Sequence, residues 1–233
     1  MEFFITLLVV SDIVILSLLA YGWQRRDQPI GRLFTYTMGC LLIWVSFKIF
    51  EYLSLSLSIK LFWANISFIG IALLPVFWLL VVIEYTNKQQ QWKPYQPWLF
   101  VVPAISNLLV WTNGWHHWWR GVPSIDAANP AFLLIDYDYQ FAFYIHALHG
   151  YLLFILSVIL LVQKMRVTKS IYRHQITLLL ISTSLPIISD TLYVFGLSPI
   201  PHLNFTPIIF SFSGILLTIA LFRHQFLELM PVA

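Results

Sequence analysis

Charge is what this sequence has least of. Asp, Glu, Lys and Arg make up 10% of its 233 residues, against about a quarter in a soluble domain. So few charges cannot cover a water-facing surface. The same shortage excludes a disordered chain, a coiled coil and a nucleic-acid-binding domain. Cysteine is nearly absent: Cys40 stands alone in an apolar run, so no internal disulfide forms and no zinc cluster is implied. There is no Gly-x-Ser-x-Gly nucleophile elbow, no Gly-x-x-x-x-Gly-Lys-Ser/Thr phosphate loop and no His-Glu-x-x-His. These absences argue against an enzyme. What the chain has instead is apolar surface: 59% of residues are hydrophobic, and the mean hydropathy is +0.79.

Seven stretches approach the ~20 apolar residues that a spanning helix needs. They lie at about 3–22, 33–53, 61–85, 97–112, 141–162, 176–195 and 205–222. The fourth is short and needs its flanks to span. Lipid leaves no partner for an unpaired backbone group, so such segments are expected as helices. None shows the ten-residue alternation of a barrel. The fold expectation is an all-α membrane protein, a single seven-helix transmembrane bundle over 1–233. The first segment is not read as a cleavable signal, because Arg25 and Arg26 follow its apolar run instead of preceding it.

Orientation follows from the basic residues. With the N-terminus outside, Arg25, Arg26, Arg32, Lys88, Lys93, Lys164, Arg166, Lys169, Arg173 and Arg223 fall inside, ten in all. Only two, Lys60 and Arg120, fall outside, and Lys48 lies within a span. The positive-inside rule therefore predicts the N-terminus out and the C-terminus cytoplasmic. The net charge of +3 reflects this bias.

The longest external connection, 113–140, is rich in Trp and His. Trp111, Trp115, Trp118 and Trp119 suit an interfacial aromatic belt, or a lid over a pocket. Residues 132–139 alternate in part, with Asp136 and Asp138 on one side and Tyr137 and Tyr139 on the other. That pattern fits a short strand or hairpin capping the bundle.

Ionisable groups inside a membrane are costly and mark sites by default. Lys48 and Glu51, three apart near the outer end of the second span, share a helix face and can pair; Lys48 would lie roughly 8 Å deep. Asp190 lies at a similar depth in the sixth span. His146 and His149 are three apart in the outer part of the fifth, and Asn107 lies in the outer half of the fourth. Asp12 is nearer the middle of the first span, and His116 follows the fourth. Lys48, Glu51, Asn107, His146, His149 and Asp190 are therefore candidate pocket residues, with Asp12 and His116 behind them. The inner half reads as nearly all apolar. That asymmetry predicts a cavity open to the outside and closed below, unlike a transporter, which needs polar groups at every depth. The structural alternative is a self-neutralising ion pair and satisfied packing histidines. Pro75, Pro103 and Pro186 fall inside spans and serve as static kinks or hinges.

Specific cofactors find little support. A retinal protein needs a Schiff-base lysine, and the seventh span has none. Two histidines at helical spacing do not make a metal or haem coordination set. No cofactor is required by the sequence.

The landmarks, taken in order, resemble the N-terminal seven-transmembrane region of bacterial sensor histidine kinases, also carried by some diguanylate cyclases. They are Glu51, Lys60 and Trp63; Pro75 and Glu84-Tyr85-Thr86; Pro103, Thr112-Asn113 and His116; Tyr137 and Tyr139. Arg173, Gln175, Leu185-Pro186 and Phe195-Gly196 follow, then Asn204-Phe205-Thr206-Pro207 and Ser213-Gly214. The run from Leu221-Phe222-Arg223 to Pro231-Val232-Ala233 is the most specific piece. The family often has an acidic residue where Asn204 stands and an Asn where Asp190 stands. The resemblance implies a sensory input domain in a bacterial inner membrane, part of a two-component system and a homodimer in its full-length context. It implies a connector at 223–233 leading to a cytoplasmic PAS, histidine kinase or cyclase module. Phe222, Arg223 and Pro231 are the candidate signal-transmitting residues. The expected partners are the bilayer, a small-molecule or lipid ligand of unknown identity, and that output module. Other readings of the residues are a small transporter or channel, or a metal- or haem-binding membrane protein.

Overall fold

The protein is described by a computed structural model over residues 2–126, 134–198, 200 and 203–222. The 223–233 connector with Arg223 and Pro231, and residues 132 and 133 of the alternating stretch, lie outside the described residues.

The chain runs through α1 (Glu2–Trp23), α2 (Pro29–Leu53), α3 (Leu57–Tyr85) and a short α4 (Gln89–Trp92). A 3-10 turn (Gln96–Phe100) leads into α5 (Val101–Trp111) and α6 (Asn113–His116). Then come β1 (Ser124–Ile125), β2 (Ile135–Asp136), α7 (Phe141–Val167), α8 (Ser170–Val194) and α9 (Thr206–Phe222). Five helices among the described residues, α1, α2, α3, α7 and α8, are long and apolar enough to cross a membrane. The segments read at 97–112 and 205–222 form shorter apolar helices, Gln96–Trp111 and Thr206–Phe222.

Proline and local backbone geometry set several boundaries. Pro29 opens α2, where its missing N–H costs nothing. Pro103 sits in the first turn of α5, so it breaks no interior bond there. Pro75 and Pro186 are truly interior, in α3 and α8. The third helix begins at Leu57, four residues before the apolar stretch at 61. Lys60, taken from the sequence as an external loop residue, is therefore in its first turn, and it is buried.

Packing neighbours run α1–α2–α3–α7–α8–α9 and back to α1, a closed ring, with α5 outside it against α3 and α7. The inner surface is built from Leu8, Ile15, Phe34, Met38, Leu41 and Leu79, all fully buried. The outer surface is apolar as well: Tyr144, Leu148, Leu152, Ile155 and Ile159 form an exposed stripe along α7. Such a stripe belongs against lipid.

The α2–α3 pair has the most extensive contact of any two helices among the described residues. A Cβ on Gly70 would collide with the Cys40 carbonyl oxygen and lie 2.9 Å from the Trp44 nitrogen. Only glycine admits the α2 backbone there, as small residues do at membrane helix interfaces. Gly70→Ala is expected to destabilise the bundle by about 1–3 kcal/mol through overpacking. Gly114→Ala, with nothing within 4 Å of the new methyl, is expected to be silent. Thermal unfolding of both variants in nanodiscs checks the contrast.

Candidate functional site

A cavity of about 140 Å³ lies between α2, α3, α7, α8 and α9, closed on one side by Trp119, Arg120, Tyr137 and Tyr139. Helical spacing explains how it is lined. Phe143, His146, Ala147, Gly150, Tyr151 and Phe154 place one face of α7 on it, at steps of three and four. Ala64, Ser67, Phe68, Ile71, Leu74 and Pro75 do the same on α3. Trp44 and Lys48 come from α2, Pro186, Asp190 and Tyr193 from α8, and Phe210 from α9.

The lid is organised by one amide. Asn113 Nδ2 donates to the Arg120 carbonyl (2.9 Å), while its Oδ1 accepts from the Trp119 and Arg120 N–H groups at 3.0 and 3.1 Å. This pins the chain reversal after α6, where His117 takes a left-handed conformation (φ 53°). Beyond it, β1 and β2 pair antiparallel, Ser124 opposite Asp136. An isolated bridge joins Arg120 to Tyr139. The pleat then sends Tyr137 and Tyr139 to the cavity. Their rings stack at 5.4 Å, and Tyr139 stacks on Phe143 at 3.7 Å. Burial raises both phenols above the ordinary tyrosine value of 10.

Charge beneath the lid is handled by Glu51. Its carboxylate accepts from Lys48 Nζ at 2.9 and 2.8 Å, the one ion pair among the described residues. Its backbone carbonyl accepts from Lys60 Nζ at 2.8 Å. Lys60 is only 1% exposed, so it acts as a buried clamp on the end of α2. Arg120 is buried too, donating to Asn65 Oδ1 at 2.6 Å and facing the Tyr137 ring at 5.8 Å. The residues counted from the sequence as two external loop cations are thus internal supports of the site. On the opposite wall, Tyr151 donates to the Asp190 carboxylate at 3.1 Å.

The sequence candidates separate into groups. Lys48, His146 and Asp190 line the cavity, and Glu51 holds Lys48 from behind. His146 pairs with Ser106 Oγ at 3.1 Å, while His149 is half-buried and off the cavity wall. Among the described residues no group of three His, Cys, Asp or Glu is placed to hold a metal. Asn107 does not line the cavity; its Nδ2 donates to the Pro103 carbonyl of its own helix. Asp12 accepts from Ser46 Oγ at 3.0 Å and ties α1 to α2. His116 is a loop brace, accepting from the Trp118 N–H at 2.9 Å. Phe222 packs edge-on against Tyr21 and Phe34 at the far end of the bundle.

Sequence reasoning missed Trp44, Arg120, Tyr151 and Tyr193 as wall residues. An aromatic inside an apolar helix carries no contrast, and Arg120 reads as an ordinary loop charge. The four tryptophans at 111, 115, 118 and 119 also divide. Trp111, Trp115 and Trp118 are exposed, as a belt requires, while Trp119 is buried on the cavity wall. The half of the bundle away from the lid also holds buried polar residues. Thr37, Ser157 and Thr183 are buried there, each bonded to a carbonyl of its own helix.

A family described as the N-terminal 7TM region of histidine kinase matches residues 7–231. No curated protein matches the chain.

Lys48→Met strands a carboxylate that is 3% exposed, and a buried pair broken on one side costs about 3 kcal/mol or more. The double variant Lys48→Met/Glu51→Gln is expected to recover most of that loss, as read by unfolding midpoints in nanodiscs. The lid tyrosines give a pH expectation. Unfolded tyrosines lose protons near pH 10, while Tyr137 and Tyr139 hold theirs higher. Their contribution is therefore whole below about pH 10 and is lost as pH rises through the folded values. The melting temperature should fall above about pH 10, and less steeply in Tyr137→Phe/Tyr139→Phe.

Proposed function

Because the chain belongs to the family of N-terminal 7TM regions of histidine kinases, we propose that it senses a ligand or a membrane property in the outer half of its bundle in a bacterial cytoplasmic membrane, a ligand being the reading the cavity favours. In this reading residues 1–233 form one multi-pass input domain. The cavity state passes through α9 to a cytoplasmic histidine kinase, PAS or cyclase module. Full-length molecules act as dimers, in keeping with the family. Catalysis belongs to the output module and not to this region.

The observation that carries the reading is the cavity, because it touches the helix that leads out. Phe210 of α9 is one of its walls. The start of α9 is tied to α8 by the Ser189–Thr206 hydroxyl pair at 3.1 Å. The other end carries Phe222 into the Tyr21–Phe34 aromatic cluster. A ligand that prefers one position of Phe210 biases the whole helix, by about 1.4 kcal/mol for each tenfold difference in affinity. Ten basic residues on one side against two on the other support the N-terminus-out orientation. Both outer cations, Lys60 and Arg120, are buried, which leaves that face with still less exposed positive charge.

Two measurements test this. In whole cells, Ser124→Cys should react with a membrane-impermeant maleimide and Lys169→Cys should not, with buried Cys40 silent in both. The reverse pattern rejects the orientation. With the chain joined to its kinase module, Phe210→Ala should shift reporter output by about fivefold or more. Unchanged output rejects the relay through α9.

A further inference from the structure

We infer that the cavity takes a small aromatic carboxylate, a single ring bearing one anionic head; this rests on the reading of the cavity as a ligand site. Size comes first. A cavity of about 140 Å³ is close to the ~150 Å³ engineered cavity that holds benzene. It is far too small for a diacyl lipid. The part of the ligand held inside is therefore about one ring.

The walls favour a ring over an alkyl chain. Trp44, Phe68, Trp119, Tyr139, Phe143 and Phe210 all face the space, and aromatic edges and faces pack specifically on one another. Several of these rings already meet edge-on, as Phe68–Trp119 does at 4.7 Å and Trp44–Phe210 at 5.6 Å. A guest ring extends the same arrangement.

The polar groups set the charge of the head. Trp44 is 4% exposed, and its indole N–H has no hydrogen-bond partner among the described residues. Trp44 is a wall residue of the cavity, and an unpaired buried N–H is satisfied by an acceptor brought against it. One helical turn further along α2 stands the Lys48 ammonium, already paired with Glu51, and under the lid the Arg120 guanidinium, one N–H of which is held by Asn65. A guanidinium and an ammonium donate only. Asn204 Oδ1 already accepts from the Thr206 N–H, so its amide has donors left over. The cavity wall is thus rich in donors, and a carboxylate, which only accepts, complements it.

Asp190 is the exception, and it orients the guest. It lies on α8, across the ring of helices from α2, and already accepts from Tyr151. A carboxylate turned toward α8 meets a like charge. Turned toward α2 and the lid, it meets Trp44, Lys48 and Arg120.

The test is binding of benzoate, benzyl alcohol, benzylammonium and hexanoate to the chain in nanodiscs, by calorimetry at pH 7. Benzoate should bind tightest and benzylammonium weakest. Trp44→Phe, which removes the N–H and keeps an aromatic ring, should weaken benzoate about tenfold. Ala147→Phe, which fills the space, should abolish binding. Benzylammonium binding as tightly as benzoate, or an unaffected Trp44→Phe variant, overturns the carboxylate assignment. Hexanoate matching benzoate overturns the ring. If the ammonium binds and Ala147→Phe removes it, the cavity remains a ligand site of another class. If Ala147→Phe changes the binding of no probe, the cavity reading itself falls.

Discussion

Glu51 closes α2 by bonding lysines on two different helices. Its carboxylate holds Lys48 on its own helix, and its carbonyl takes the Lys60 ammonium from α3. A carboxylate or ammonium alone would be prohibitively costly at this depth. Together they form a compact unit that locks the α2–α3 hairpin and presents Lys48 to the cavity. The tight α2–α3 crossing at Gly70 supports the same hairpin further down. The remaining walls are arranged against this rigid pair.

The lid solves a second constraint, the unpaired backbone of a long connection. Asn113 satisfies three main-chain groups at once and so shapes the turn that buries Trp119 and Arg120. The Arg120–Tyr139 bridge and the β1–β2 pair then carry two stacked tyrosines over the cavity. Each step leaves polar backbone paired and turns aromatic surface inward. The result is a pocket whose top is made of loop and whose sides are made of helix faces.

Below the cavity, Leu74, Phe154 and Phe210 also border a second void of about 20 Å³. Trp78 Nε1 and Ser213 Oγ, both buried without partners among the described residues, belong to that layer. Thr37, Met38 and Leu41 of α2 and Ser213, Gly214 and Leu217 of α9 border the same void. A helix bordered by imperfect packing shifts at lower cost than one embedded in a dense core. α9 is in that position, and its far end bears on Tyr21 and Phe34.

Much of the architecture was legible without coordinates. Apolar length and the scarcity of charge determined a helical membrane protein, because lipid leaves the backbone no other open-ended solution. The three-residue spacing of Lys48 and Glu51 was enough to predict their pairing, since a helix brings such positions to one face. The order of short landmarks along the chain carried the family. The cavity was only partly visible. Lys48, His146 and Asp190 stood out because they are polar in an apolar background. Trp44, Tyr151, Tyr193 and Phe210 did not, because in a membrane both the lipid-facing and the inward-facing sides of a helix are apolar. A hydrophobic pattern then cannot say which side turns inward. His149 and Asn107 show the converse: polar residues at the right depth but on the wrong face. The burial of Lys60 and Arg120 was not legible, because sequence position near a helix end says nothing of burial. Which faces meet, and which cations turn inward, was decided by the closed ring of helices and by the reversal at Asn113. Those are contacts between residues far apart in the chain, which no local pattern encodes.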